Sequence, residues 1–482
     1  MTVMSTLSWI GVMALVGMLL RAKIPFLANI LMPASVIGGV IGFILMNTGV
    51  LTSLGCDFMI CNQIVGFFFT LSFISIGLTA VPKEEGGEDG KKGGTAKEVL
   101  KGSLGLGLIW CMLYGLTPLL GYFVMKGVGA PFGMDGAYGL LIPFAFCQGP
   151  GQSAAFGMQI EAGGGLPNAA QVAITFSVIG FFLAFIIGVP IAKMGMKKGL
   201  ARHPEKISPS VAKGVYPPEE QTESCGSITT YNGNIDTLAF HVGLVGLVYL
   251  LAILVQKLLL MIPVTFLQAI SGMTFFVGLF VAYLVRWIMV KLNIKQYHND
   301  ILQARITGFT TDFLIIGAFM AVQMTVIGKW IVPITIFCLI IGAVTLLVTL
   351  YFTPRIGGKC DFERTLGLWG CATGTCPSGV ALIRVADPNL KTTAAAEMGA
   401  MNAFMIFSGL IPPLVIEFTL GNATLAVVLF ACFATFAVCT VALKLTGCWK
   451  KPTFSFKGAP VVCPDVTDDC EEFEKTDTHS PF

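Results

Sequence analysis

The chain has 482 residues, 55% of them hydrophobic and 12% charged, with a mean hydropathy of +0.81. Soluble domains carry about 25% charged residues, so this composition excludes a protein dispersed in water and makes lipid its main solvent. The net charge of +3 is small and the basic residues are scattered between apolar runs, which argues against a nucleic-acid partner.

The first apolar run, 3–20, has no basic leader, and Arg21 and Lys23 follow where a small-residue cleavage site would stand. It reads as a retained span. A helix needs about 20 apolar residues to cross the hydrocarbon. On that measure further spans are predicted at 33–51, 63–81, 99–125 and 168–193. After a polar linker at 195–236, rich in Pro and Gly, they resume at 238–262, 265–291, 306–327, 330–352, 394–417 and 423–445. Two more apolar stretches, 137–160 and 365–386, are cut near their middles by glycine, proline and hydroxyl or amide residues. Each is predicted to enter and leave on one face as a re-entrant hairpin. The mixed-charge loop Lys83–Glu98 reads as a solvated linker, and the tail 446–482 is acidic toward its end and reads as disordered.

Charge tests this reading. With the N-terminus outside, the loops predicted inside hold Arg21 and Lys23, then Lys83, Lys91, Lys92 and Lys97, then Lys193, Lys197, Lys198 and Arg202. Later inside loops hold Arg286, Lys291 and Lys295, then Arg355 and Lys359, then Lys450 and Lys451. The outside loops hold little beyond Lys126 and Lys329. That is the Lys/Arg asymmetry that orients membrane proteins, and making either hairpin a full span destroys it. The expected fold is therefore an all-α polytopic membrane protein with about eleven transmembrane helices and two hairpins. Its N-terminus is predicted outside and its C-terminus in the cytoplasm.

The order of elements repeats. Residues 1–194 contain four spans, a hairpin and one span; after the 195–236 linker, predicted cytoplasmic, residues 237–417 give the same order. The helix 423–445 is additional. An odd number of crossings in the first unit inverts the second, and substrate sites in such transporters lie near the midplane where discontinuous helices meet. The tips match in part: Gly149 and Ser153 are four apart, as are Gly374 and Ser378, and Glu161 and Asp387 follow at similar distances.

A run such as Gly149-Pro150-Gly151 cannot continue a helix. Backbone broken at membrane depth survives only when buried in protein or lining a wet cavity. The returning leg near Ser153 offers amides and the positive end of a helix dipole to a carboxylate, and carbonyls of the incoming leg suit sodium. Candidate solute ligands are thus Gln148, Gly149, Gly151, Gln152, Ser153, Thr373, Gly374, Thr375 and Ser378. Arg384 is a candidate carboxylate clamp, set against a role as an interfacial anchor. Asn402 is set against plain packing. Candidate ion ligands are Ser72, Ser75, Thr310, Thr311 and Asp312, the last an acid inside a predicted span. The alternatives are that the glycines serve close helix packing and that Asp312 pairs with Arg305. Trp9, Trp110, Trp287 and Trp330 read as belt or lipid-facing aromatics. The fourteen Cys include no CxxC pair, and the four His are dispersed, so no transition-metal site is predicted.

Several segments resemble the glutamate:sodium symporter family. They are Met32-Pro33-Ala34-Ser35-Val36-Ile37-Gly38-Gly39, Phe67-Phe68-Phe69-Thr70 through Ser75-Ile76-Gly77-Leu78-Thr79-Ala80, the Gly149–Ala155 tip, the stretch from Phe181 to Pro190, and the Gly370–Gly379 tip. The resemblance runs over roughly 1–417. It implies inverted repeats, a homodimer in the bacterial inner membrane, and sodium-driven glutamate uptake by an elevator-like movement. Within the first tip the chain departs from the family's serine- and glycine-rich run with His and Thr.

The expected function is therefore a sodium-coupled symporter for glutamate or a related small carboxylate, with no cofactor beyond sodium as coupling ion. A proton-coupled or exchanging carrier for another amino or organic acid, with Asp312 carrying the proton, is the alternative. A membrane-embedded enzyme needs clustered nucleophiles, bases or ligands, and a channel needs a continuous polar lining; the sequence offers neither.

Overall fold

In the computed structural model the described residues are 2–79, 92–203, 209–221, 224–231, 233–262, 274–388 and 390–456. Most of the 83–98 loop, the start of the span expected at 265–291 and the acidic end of the tail lie outside them. Among the described residues the fold is helical, without strands. The first half runs α1 (Thr2–Lys23), α2 (Ala34–Asn47), α3 (Phe58–Leu78), α4 (Lys92–Gly129), α5 (Ile142–Phe146), α6 (Pro150–Ala162) and α7 (Ala169–Lys197). The second runs α8 (Thr237–Leu260), α9 (Thr274–Lys291), α10 (Asp300–Ala321), α11 (Ile331–Phe352), α12 (Asp361–Thr373), α13 (Cys376–Ala386), α14 (Ala394–Ala400), α15 (Ile411–Thr419) and α16 (Leu425–Leu445).

Polar residues fix several helix starts by satisfying amides that have no partner within the first turn. Asp57 accepts from the amides of Met59 and Ile60 to open α3, and Asp236 does the same for Leu238 and Ala239 in α8. Asn299 accepts from the Leu302 amide to open α10.

Nine helices among the described residues are long and apolar enough to cross a membrane. Two of the expected spans take another form. The second is α2, only 14 residues long, or about 21 Å at 1.5 Å per residue, short of a hydrocarbon core about 30 Å thick. Pro33 starts it, and Gly49, with φ of +83°, turns the chain after it. The expected span 394–417 is broken into α14, a 3-10 run at Met401–Ser408, and α15. Pro412 and Pro413 supply no amide to an α-helical ladder, so they open a new helix instead of continuing one.

Packing between the halves is reciprocal. The helices α3 and α10 pack on each other at the centre; α2 packs on α10, and α9, its counterpart in chain order, packs on α3. Helix α7 contacts both broken segments, α5–α6 and α12–α13. Helix α16 covers α4. A smaller apolar cluster around Ile74, Val248, Ala252 and Ala282 joins α3, α8 and α9.

Candidate solute site

The two broken segments are helix–turn–helix units whose turns touch. The first turn falls at Cys147–Gly149 between α5 and α6; the second falls at Gly374–Thr375 between α12 and α13. Gly149 has φ of +81°, and a Cβ there would lie 2.5 Å from Thr375 Cγ2 and 3.1 Å from the Gly374 carbonyl oxygen. Only glycine meets both conditions, a left-handed backbone and contact with the opposing tip.

The freed backbone groups find partners, as burial demands. Trp110 is buried, and its indole N–H donates to the Cys147 carbonyl at 3.2 Å. The expected lipid-facing role is corrected for this tryptophan: it holds the first tip. Trp330 is also buried, donating to the Phe132 carbonyl, whereas Trp287 is exposed. Ser153 is fully buried, with its hydroxyl within reach of the Phe144 and Gly149 carbonyls and 2.7 Å from Ser177 Oγ. Ser378 donates to the Gly370 carbonyl at 2.8 Å and accepts the Thr375 amide at 2.8 Å. The two tip serines therefore bind backbone, each closing its own turn. Thr373 donates to the Trp369 carbonyl one turn back, and Gly180 of α7 lies against the Thr373 carbonyl, where a Cβ would approach to 2.3 Å. Gln152 accepts from the Tyr114 hydroxyl at 3.2 Å, and Gly151 lies against the Phe69 ring.

A cavity of about 100 Å³ opens between the tips and the α3–α10 pair. Its polar wall combines Ser72 with Thr307 and Thr311, Gln148 from the first tip, Thr375 from the second, and Asn402. Phe69, Phe73, Ile76, Leu279, Leu314 and Pro377 supply apolar surface, beside Tyr283 and the thiols of Cys147, Cys371 and Cys376. Among the described residues no charged side chain lines it. Ser72 Oγ and Thr311 Oγ1 are 3.4 Å apart. Directly behind them, Ser75 Oγ accepts from Gln303 Nε2 at 2.6 Å and from Thr307 Oγ1 at 2.8 Å, and donates to the Gln303 carbonyl.

The structure thus gathers Gln148, Thr375, Asn402, Ser72 and Thr311 at one wall, with Gly149 and Gly374 at the tip contact. Gly151, Gln152, Ser153, Thr373 and Ser378 stand behind the tips. Ser75 and Thr310 are buried in helix contacts, Thr310 donating to carbonyls of its own helix. Two candidates fall elsewhere. Asp312 is exposed on the flank of α10, one residue but about 100° around from Thr311, and lies beside Ser35. Arg384 is exposed in the last turn of α13 and does not reach the cavity.

Sequence reasoning missed Thr307, which stands one turn before Thr311 and could have been found by extending that face backward. It also missed the foot of the second broken segment. There Arg364, 1% exposed, donates two bonds to Glu397 and a third to Asp361, each of 2.6 Å. Thr393 donates to Glu397 at 2.8 Å. Asp361 accepts the amides of Gly357 and Gly358, and the Thr453 hydroxyl at 2.8 Å. Residues 449–456 form a strap over this foot: the amides of Lys450 and Thr453 donate to the Arg355 and Pro354 carbonyls, and Phe454 packs edge-on against Phe362. The acids after each tip have parallel roles. Glu161 accepts the Ala170 amide, and Asp387 accepts those of Lys391 and Thr392, so each ties its returning leg to the following segment.

A family model described as sodium/glutamate symporter matches residues 1–386. No curated protein and no solved structure matches the chain.

Proposed function

The chain belongs to the sodium/glutamate symporter family, and on that premise we propose that it carries glutamate or a related small carboxylate together with sodium through the cavity between its two tips. It is a multi-pass membrane transporter; the cargo, the coupling and the site are our reading. The observation that carries the reading is the meeting of two helix breaks at an uncharged, hydroxyl- and amide-bearing cavity against α3 and α10.

Chemistry supports it in three ways. A hard monovalent cation is satisfied by neutral oxygens, and Ser72, Thr307 and Thr311 present three of them on one wall. A carboxylate here meets no cationic side chain among the described residues, so recognition falls to Gln148, Asn402, Thr375 and the opening amides of the returning legs. The proton-coupled alternative would need a titrating acid in the cavity, and Asp312 faces away from it. The reciprocal packing of α2 on α10 and α9 on α3 agrees with inverted repeats, with the broken segments as re-entrant hairpins. We extend the reading to a homodimer in the inner membrane, N-terminus outside and C-terminus inside, working by an elevator-type movement.

The test is uptake of labelled glutamate and a panel of other amino and organic acids into proteoliposomes, with and without a sodium gradient at fixed pH. Sodium-driven uptake that weakens in Thr311→Val and Ser72→Ala is expected. Uptake driven equally well by a proton gradient without sodium would overturn the coupling, and wild-type kinetics in both variants would overturn the site.

A further inference from the structure

Contacts between helices divide the molecule into two bodies that cut across its halves. One gathers α1, α2, α3, α8, α9 and α10; the other gathers α4–α7 and α11–α16 and so holds both tips. The main contacts between the bodies are those of α3 and α10 with α6 and α7. From α10 the chain crosses directly to α11 through residues 322–330. Val322 and Gln323 are extended there, with ψ of 121° and 107°, so the helical ladder stops and the backbone groups of 321–324 need other partners. Two carboxamides supply them. Gln171, in the first turn of α7, donates from Nε2 to the Ala321 carbonyl and accepts the Gln323 amide at Oε1, both at 2.9 Å. Asn47, the last residue of α2, donates from Nδ2 to the Val322 carbonyl at 2.9 Å and accepts the Met324 amide at Oδ1 at 2.8 Å. A carbonyl only accepts and an amide N–H only donates, so one orientation of each side chain satisfies both partners. The two clamps are alike in chemistry and differ in place. Asn47 and α10 belong to one body, and Asn47 also donates to the Phe43 carbonyl of its own helix at 2.9 Å. Gln171 is buried in the body that holds the tips, so both of its bonds cross the boundary.

We propose that Gln171 is a latch between the two bodies: its bonds to Ala321 and Gln323 close in this state and part when the body holding the tips shifts against α10, while Asn47 keeps the start of the crossing on α2. That the shift carries solute rests on the symport reading; the latch itself concerns only Gln171 and the backbone of 321–323. Bonds made in one of two states bias the equilibrium toward that state. Their loss moves the populations, and the apparent affinity on each face of the membrane follows the fraction of carriers open to that face.

Uptake of labelled glutamate with sodium is measured in right-side-out and inside-out vesicles holding the wild type, Gln171→Met or Asn47→Leu. Gln171→Met should move the half-saturating glutamate concentration several-fold, in opposite directions on the two faces, because the latched state loses its share of carriers. Asn47→Leu acts within one body and should leave the ratio between the faces unchanged. A shift of the same sign on both faces in Gln171→Met, or no shift, would overturn the latch. Backbone hydrogen exchange of the full-length wild type in lipid nanodiscs, resolved to single amides and corrected for intrinsic rates, gives a readout that needs neither cargo nor variant. The Gln323 amide should exchange about tenfold faster than the Met324 amide, the scale set by two neutral hydrogen bonds. Equal exchange of the two amides would overturn the latch. Fast exchange at Gln323 in a protein that takes up no glutamate from either face would keep the latch and sink the symport reading.

Discussion

Glu397 illustrates what a single residue gains from its surroundings. In sequence it lies at the start of the predicted span 394–417; in the structure it is fully buried and held bidentately by Arg364, 33 residues earlier. Nothing local in the sequence pairs the two. Removing one member of a buried pair leaves the other charge uncompensated, so Glu397→Leu should lower the unfolding free energy by about 3–5 kcal/mol. Adding Arg364→Met to it should recover part of that loss. Denaturation in detergent checks both, and an unchanged Glu397→Leu would remove the pair from the stability of the foot. Asp312 gives the reverse lesson. Its place within a predicted span was legible, but its direction was not, because hydropathy fixes depth and says nothing of which neighbour covers a given helix face.

Broken elements were legible where the chain breaks itself. Gly149-Pro150-Gly151 and Gly374 are interruptions that no helix absorbs, and both tips fall at them. The breaks in 394–417 were hidden by continuous apolar composition, although Pro412 and Pro413 carried the signal. The turn between α9 and α10 holds a further buried group. Burial pushes His298 down to about 4 from 6.5, opposed by Asp300, with His241 5.0 Å away ring to ring, Gln303 Oε1 at 3.3 Å and Arg286 paired to Asp300 at 2.9 Å. The folded state then binds fewer protons than the unfolded state between these values. Its contribution to stability is full above about 6.5 and is lost as pH falls toward 4. The melting midpoint of the wild type should drop through that window, and His298→Asn should flatten the drop; parallel curves for the two proteins would exclude the histidine. At the foot of the second broken segment, Thr453→Ala removes a hydroxyl from a carboxylate and should cost about 1.5–3 kcal/mol, read as a lower melting midpoint.

At the scale of the molecule, the Lys/Arg pattern constrains every crossing at once, and the orientation it predicts can be tested. Cys225 in the linker is exposed and reports on it directly. A membrane-impermeant maleimide should reach it from the cytoplasmic face of oriented vesicles and not from outside; labelling from outside would reverse the topology. Helices α3 and α10 both carry candidate ion ligands named from the sequence and pack on each other, but the cavity itself was not legible, because its wall draws on residues from Phe69 to Asn402.

The strap carries a consequence for synthesis. Asp361 receives the Thr453 hydroxyl only after 92 further residues have been made, and α16 must already lie beside α4 for the strap to arrive. A ribosome therefore delivers the second tip to the bilayer with its base unfinished, and the strap that follows α16 completes it.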